Sequence, residues 1–215
     1  MTNADANVIS LFPLGLVALP GEVIPLHIFE PRYKRLIGEA REGGDEFGIV
    51  LQQQDAVAEC GCTARLVEVL EEFDDGRLNI LVEGRRRFRL HEILAAADEG
   101  EEYLRARVAF FDDETEDEEP GDRVEGIRDR AMTLFLRMLS LMEVKSPRPP
   151  GGDQPLSFRL VAAVEFGVAL KQQLLELTSE AERLTTLITV MESLIPRLEL
   201  RHEREEAIRG NGKGN

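Results

Sequence analysis

The stretch from Leu11 to Leu36 reads LFPLGLVALPGEVIPLHIFEPRYKRL, and it combines apolar runs with four prolines. The run before Pro20 and the run from Val23 to Phe29 predict two short strands, because proline restricts strands to short or edge positions. Pro31 fits the first turn of a helix, where its missing N–H is not needed. Glycines 43 and 44 should end that helix. The stretch therefore predicts strand, strand and helix packed in one core.

Apolar and polar residues then alternate with a period of two through the first half of the chain. Further strands are predicted at 47–52, 62–73, 78–82, 85–93 and 103–111. Asp74-Asp75-Gly76 has the chemistry of a hairpin turn. Short antiparallel strands at this spacing predict a curled sheet or small barrel that includes one helix.

The period becomes helical after an acidic block, Asp112 to Glu119, which Pro120-Gly121 closes. We therefore predict an α+β protein with a mostly antiparallel β-rich subdomain at 1–119, a helical bundle at 120–206 and a disordered tail at 207–215. Apolar stripes predict helices from Val124 to Met142 and from Leu156 to Leu177. Ser179 with Glu182 forms a capping box for a third helix, which Pro196 should kink or end.

Composition and charge limit the functions and the location that we expect for this protein. The formal net charge is −15 and the pI is about 4.7, which disfavours binding to nucleic acid. No apolar run is long enough to span a membrane, and the first residues do not resemble a signal peptide. Together with the low cysteine count, these features predict a cytoplasmic protein.

Few residues suggest a chemical site. Cys60 and Cys62 would share one face of a strand, and we interpret them as small buried thiols. The three histidines lie in different elements, so no metal or cofactor is expected. His27 lies between apolar neighbours, which favours a hydrogen-bonded core residue over a catalytic base. The basic run 85–89 is expected to pair with carboxylates such as Glu68 and Glu71.

Several motifs resemble the amino-terminal, substrate-binding domain of Lon protease. The match is carried by FPL, LPG and PLHIFEPRY between Phe12 and Tyr33, then by Phe47-Gly48-Ile49, Val82-Glu83-Gly84 with Arg87-Phe88, and LLELTSEAERL from Leu174. The resemblance implies a mostly antiparallel β subdomain followed by a helical bundle. It also implies that the chain recognises polypeptides.

Full-length Lon adds an ATPase and a protease with a Ser–Lys dyad, but this sequence contains neither a G-x-x-x-x-G-K-[ST] loop nor a G-x-S-x-G elbow. We therefore expect a stand-alone recognition domain that is not an enzyme. An assignment as a peptidase would rest on family resemblance only. Its partners would be unfolded or tagged polypeptides, or a protease or chaperone to which it hands substrates. The expected surface is the cleft where the β subdomain meets the helices, with Phe29, Tyr33 and Phe88 as candidate peptide-binding residues.

Two alternatives stay open at this stage. The β subdomain is also similar to one in cereblon, which is compatible with a scaffold that docks one folded partner. A hydrolase with an unusual site built from His27 and carboxylates such as Glu30 is the other alternative. The oligomeric state cannot be read from the sequence.

Overall fold

The computed structural model describes residues 7–54, 56–94, 103–114, 121–144 and 153–211, without the side chains of residues 121, 122 and 206–211. The chain divides into two compact units, Met1–Asp113 with Val161–Glu176, and Glu114–Leu160 with Leu177–Asn215. In chain order the elements are β1 (Asn7–Leu14), β2 (Val23–Ile28), α1 (Pro31–Gly43), β3 (Phe47–Gln53), β4 (Ala56–Glu72), β5 (Leu78–Leu94), β6 (Arg105–Phe110), α2 (Gly121–Leu141), α3 (Leu156–Ala162), α4 (Val168–Glu176) and α5 (Glu180–Asn211).

The mostly antiparallel sheet of the first unit confirms the predicted α+β class. Its strand order is β2-β5-β4-β3-β1-β6, and only the β1–β3 pair is parallel among the described pairings. β6 pairs with β1 and also with the second half of β5, so β1, β3, β4, β5 and β6 close into a ring. β2 pairs with the first half of β5 and lies outside this ring. The predicted curled sheet is therefore a small barrel with one additional strand.

Apolar side chains from the strands and α1 fill the core of this unit. Leu11, Phe88, Ala106 and Val108 form a buried cluster inside the ring. α1 contributes the side chains that helical spacing predicted, which are Tyr33, Leu36, Ile37 and Ala40. The helix ends as predicted at Gly44, which has φ 71° and donates its N–H to the Ala40 carbonyl at 2.9 Å.

α4 belongs to the same unit as the barrel, although its sequence period matches that of the helices around it. Its Lys171 forms an ion pair with Glu22, and the Gln172 amide donates to the Cys60 carbonyl at 3.1 Å. The prediction of one helix from Leu156 to Leu177 is wrong, because residues 163–167 separate α3 from α4. Apolar residues keep a helical spacing on both sides of residues 163–167, so the sequence pattern does not show that the helix is interrupted there.

The second unit contains α2, α5 and residues 156–160 of α3. α2 and α5 bury complementary apolar side chains, including Ala131, Phe135, Met138, Leu184, Leu187 and Met191. Ion pairs join Arg130 to Glu192 and Arg137 to Glu199. Met142, which the predicted stripe included, is exposed because α2 ends at Leu141.

The third helix begins as predicted and extends further than predicted. The Ser179 hydroxyl accepts the Glu182 N–H at 3.3 Å, which confirms the predicted N-cap. α5 continues through Pro196 to Asn211, so the proline does not end the helix. Residues 207–211, predicted as part of a disordered tail, are helical, and residues 212–215 lie outside the described residues.

The predicted boundaries after residues 119 and 206 stay predictions. Residues 115–120, which hold most of the acidic block, and residues 145–152 of the predicted loop lie outside the described residues. No helix within the described ranges is both long and apolar enough to cross a bilayer.

Candidate functional site

The three residues predicted to bind peptide differ in exposure. Phe88 is 0% exposed and lies in the core of the ring, where a peptide cannot reach it. Tyr33 is buried in α1 with its ring centroid 4.0 Å from that of Phe12, and burial raises the pKa of its phenol. Phe29 is 59% exposed and follows the end of β2. Of the three, Phe29 alone presents its ring at the surface.

His27 is exposed, so the expectation of a core histidine is wrong. β2 alternates regularly, and it buries Ile24, Leu26 and Ile28 while Val23, Pro25 and His27 face outward. Proline at position 25 is compatible with strand structure here because β2 has no second partner among the described strands.

A row of three polar side chains crosses the outer face of the sheet. His27 on β2 lies opposite Asn79 on β5, which lies opposite Glu71 on β4. The Asn79 amide nitrogen donates to Glu71 Oε2 at 2.9 Å, and its Oδ1 lies 2.7 Å from His27 Nδ1. Because an amide oxygen can only accept, His27 carries a proton on Nδ1. The row fixes the orientation of the His27 ring.

Apolar and aromatic side chains surround this row. The ring centroids of Phe29 and Phe73 lie 6.0 and 6.1 Å from that of His27. Leu70 is 52% exposed and borders a depression of about 590 Å³ together with Pro25, Leu26, His27, Glu71, Asn79 and Ile80. We name the surface formed by Pro25, His27, Phe29, Leu70 and Phe73 the Phe29 face.

Two β-bulges explain why apolar side chains are exposed on β4. The β4–β5 register shifts between Leu66 and Glu68 and again between Val69 and Glu71. The extra residues are Val67 and Leu70, and each exposes about half of its surface. A bulge breaks strict alternation and re-aims the side chain that it contains. Sequence periodicity alone therefore did not identify Leu70 as a surface residue.

A second groove in the same unit lies between the β3–β4 hairpin and α4. This groove has a volume of about 360 Å³. It is lined by small apolar side chains and glutamines, including Ala56, Val57, Ala58, Ala169, Gln172 and Gln173. The Phe29 face exposes larger apolar side chains, and we take it as the candidate site for that reason. The cleft predicted between the β subdomain and the helical bundle stays a prediction.

The basic run on β5 uses different partners from those expected. Arg85 pairs with Glu83 at 3.3 Å, and Arg87 pairs with Asp113. The guanidinium of Arg86 lies 4.1 Å from the centroid of the Phe110 ring. Pairing with Glu68 or Glu71 was predicted wrongly, because the β4–β5 register places Arg87 opposite Cys62, far along β4 from those glutamates. The basic run therefore stabilises the barrel.

Both cysteines are buried free thiols, as predicted. Burial raises the pKa of Cys62 to about 12, and burial also raises the pKa of Cys60. A protonated thiol is a poor nucleophile and a poor metal ligand. Within the described ranges no three His, Cys, Asp or Glu side chains are grouped as metal ligands would be.

The contacts of Glu30 bear on the alternative hydrolase site. Glu30 forms an ion pair with Arg32 at 2.7 Å, whereas the polar contact of His27 is with Asn79. A catalytic histidine and carboxylate act through a shared hydrogen bond. The described contacts do not join His27 to Glu30.

Comparisons with known proteins identify relatives for nearly the whole chain. The sequence model of the ATP-dependent protease La (LON) substrate-binding domain matches residues 8–193. A Lon protease of Flavobacterium johnsoniae is 25% identical over 97% of this chain and 27% of its own length. A Lon protease of Porphyromonas gingivalis is 26% identical over 87% of this chain and 23% of its own length. The chain thus spans about a quarter of the length of these curated relatives.

Solved structures give the same result for the fold. The Lon N-terminal domain protein from Xanthomonas campestris superposes with a TM-score of 0.65 at 25% identity, covering 85% of this chain and 98% of that one. The N-terminal domain of the Mycobacterium avium complex Lon protease also superposes with a TM-score of 0.65, at 20% identity, over 86% of this chain and 98% of that one.

Proposed function

This chain belongs to the family of ATP-dependent protease La (LON) substrate-binding domains, and we propose that it recognises unfolded polypeptide segments without transforming them. Segments bound in this way could then pass to a protease or chaperone partner. The observation that carries the proposal is the exposure of Phe29 and Leu70 beside the His27 ring on one sheet face.

The apolar character of the Phe29 face supports this function. A half-exposed phenylalanine or leucine gains free energy when a ligand covers it, at about 25 cal/mol per Å² of apolar surface. Folded proteins expose few such side chains together, whereas unfolded chains expose many. A face of this kind therefore favours unfolded ligands over folded ones.

The backbone of β2 favours recognition through side chains. Gly84 on β5 donates its N–H to the Glu22 carbonyl at 2.9 Å. In an antiparallel pair, alternate residues direct their backbone N–H and C=O groups toward the partner strand, and the residues between them direct these groups away from it. By this alternation Val23, Pro25 and His27 direct their backbone groups to the free edge. Pro25 has no N–H, so an added strand would lose a hydrogen bond at the centre of that edge. The ligand is therefore expected to lie over the face of the sheet.

Binding to one small disulfide protein in two forms tests the proposal. Fluorescence anisotropy would compare the reduced and alkylated, unfolded form with the native form. We expect measurable affinity for the unfolded form only. The double variant Phe29→Ala with Leu70→Ala should weaken that binding about tenfold, or roughly 1.4 kcal/mol.

Matched controls separate this surface from apolar surface in general. Leu136 and Leu200 on α2 and α5 are as exposed as Leu70, so Leu136→Ala with Leu200→Ala removes similar area elsewhere. Thermal unfolding of both double variants should match the wild type, since all four side chains are exposed. Equal, undetectable affinity for both protein forms contradicts the proposal. An equal loss in the control variant contradicts the assignment to the Phe29 face.

A further inference from the structure

Two carboxylates lie beside the apolar side chains of the Phe29 face. Glu68, Leu81 and Pro25 form one row across β4, β5 and β2, and Glu71 ends the neighbouring row that begins at His27. Directly opposed residues of paired strands lie on the same face. Glu68 and Glu71 therefore border the Phe29 face along its β4 side.

Neither carboxylate forms an ion pair with another residue in the described part of the chain. Glu71 accepts the amide of Asn79, and Glu68 is exposed. The arginines of this region are paired with other carboxylates, namely Arg65 with Glu83, Arg77 with Asp75 and Arg41 with Glu72. Two negative charges are thus available to a ligand on the face.

The spacing between these charges and the apolar side chains limits the ligand. Neighbouring strands lie about 4.8 Å apart, so β2 and β4 are roughly 10 Å apart. Phe29 lies two residues beyond the row of His27 and Glu71, so Phe29 and Glu71 are roughly 12 Å apart, which is about the rise of four extended residues. Side chains an even number of positions apart in an extended segment point to the same side. A segment that crosses the strands with an apolar side chain near Phe29 would therefore place the side chain about four positions away near Glu71, with Glu68 in the neighbouring row.

We infer that the Phe29 face selects polypeptide segments in which a Lys or Arg lies about four residues from an aromatic or aliphatic side chain. This inference rests on the proposed function, and it names the class of segment that the site prefers. The carboxylates attract the cation, and the apolar side chains cover the hydrophobic residue. Acidic segments are repelled by the same two charges.

Three fluorescent peptides of equal length and apolar content test this selectivity by anisotropy. Their polar positions, four residues from the apolar ones, carry Lys, Ser or Glu. The wild type should bind the Lys peptide best and the Glu peptide least, and this difference should shrink as ionic strength rises. Glu68→Gln with Glu71→Gln should weaken Lys-peptide binding about threefold to tenfold, as expected for two partly exposed ion pairs.

A charge-matched variant distinguishes local contacts from net charge. Glu165→Gln with Glu203→Gln removes two exposed carboxylates outside the face and should leave the peptide preference unchanged. An equal loss in this control overturns the inference.

The outcomes also separate this inference from the proposed function. If no peptide binds and the unfolded protein does not bind, the proposed function fails. If all three peptides bind equally and Phe29→Ala with Leu70→Ala weakens them, recognition stands and the charge selectivity is overturned. Thermal unfolding of the glutamine variants should match the wild type, because glutamine at position 71 can still accept the Asn79 amide.

Discussion

Arg183 and Glu180 form an ion pair that is buried at the start of α5, with Nη2 2.9 Å from Oε2. The Ser157 hydroxyl on α3 donates to Glu180 Oε2 at 2.5 Å and accepts from Arg183 Nε at 2.9 Å. The guanidinium also donates to the Leu177 carbonyl and lies 4.5 Å from the centroid of the Phe158 ring. A buried pair needs such additional partners to offset its desolvation. The cluster therefore holds α3 against the first turn of α5.

Replacing Arg183 by Met should lower the free energy of unfolding by about 3–5 kcal/mol, because it leaves the Glu180 carboxylate buried without its charge partner. Denaturant unfolding measures this change. The matched control is Arg130→Met, which removes an exposed pair with Glu192 and should cost at most about 1 kcal/mol. Similar losses in the two variants would show that burial of the Arg183 pair is not energetically important.

Replacing Gly84 by Ala should destabilise the barrel by about 1–3 kcal/mol or more, because an added Cβ would lie 2.1 Å from the Leu19 carbonyl oxygen. This neighbour is backbone and cannot rotate away as a flexible side chain would. Gly38→Ala in α1 has nothing within 4 Å of the added atom and should stabilise the protein by about 0.5–1 kcal/mol. Thermal unfolding of the Gly84→Ala and Gly38→Ala variants measures both changes in stability. A neutral Gly84→Ala variant would contradict the close approach of β5 to Leu19.

The stability of the protein should fall above about pH 9 because of Cys62. Burial raises the pKa of this thiol from 9.0 to about 12, so the unfolded chain loses the proton first. The unfolded state then binds fewer protons, and the free energy of unfolding decreases as pH rises. From Cys62 alone the loss should reach about 1.4 kcal/mol by about pH 10.

Denaturant unfolding at several pH values checks this effect against the Cys62→Ala variant. The variant lacks the thiol, so its stability should fall less over the same interval, whatever constant cost its smaller side chain adds. Parallel pH profiles for the two proteins would mean that the Cys62 thiol titrates alike in both states.

Local chemistry made several elements predictable. Pro31 and the glycine pair at 43–44 set the bounds of α1, since a proline suits the first turn and a left-handed glycine suits the end. The turn at Asp74-Asp75-Gly76 follows from the same kind of preference, and Gly76 has φ 76°. These features depend on residues that are adjacent in the chain, and the sequence contains all of that information.

The candidate site was only partly predictable. Phe29, Tyr33 and Phe88 were predicted as peptide-binding residues because of their aromatic character, but only Phe29 is exposed, whereas Phe88 and Tyr33 are buried. The hydrophobicity of a residue does not determine whether its side chain is packed in the core or exposed at the surface. Leu70 and His27 were missed as surface residues, because a bulge and an edge strand decide their exposure.

The amino-acid sequence was enough to predict the family, the two periodicities, the ends of α1 and the acidic charge, because each depends on composition or on neighbouring residues. Tertiary structure decided which strands close the ring, that α4 joins the barrel unit, and that Phe29 and Leu70 both lie near His27. The reason is that pairing β6 with β1, and β2 with β5, brings together residues that are far apart in the chain, such as Asn7 with Val108 and Ile28 with Leu78. Those pairings are selected by the packing of the whole barrel rather than by any single segment.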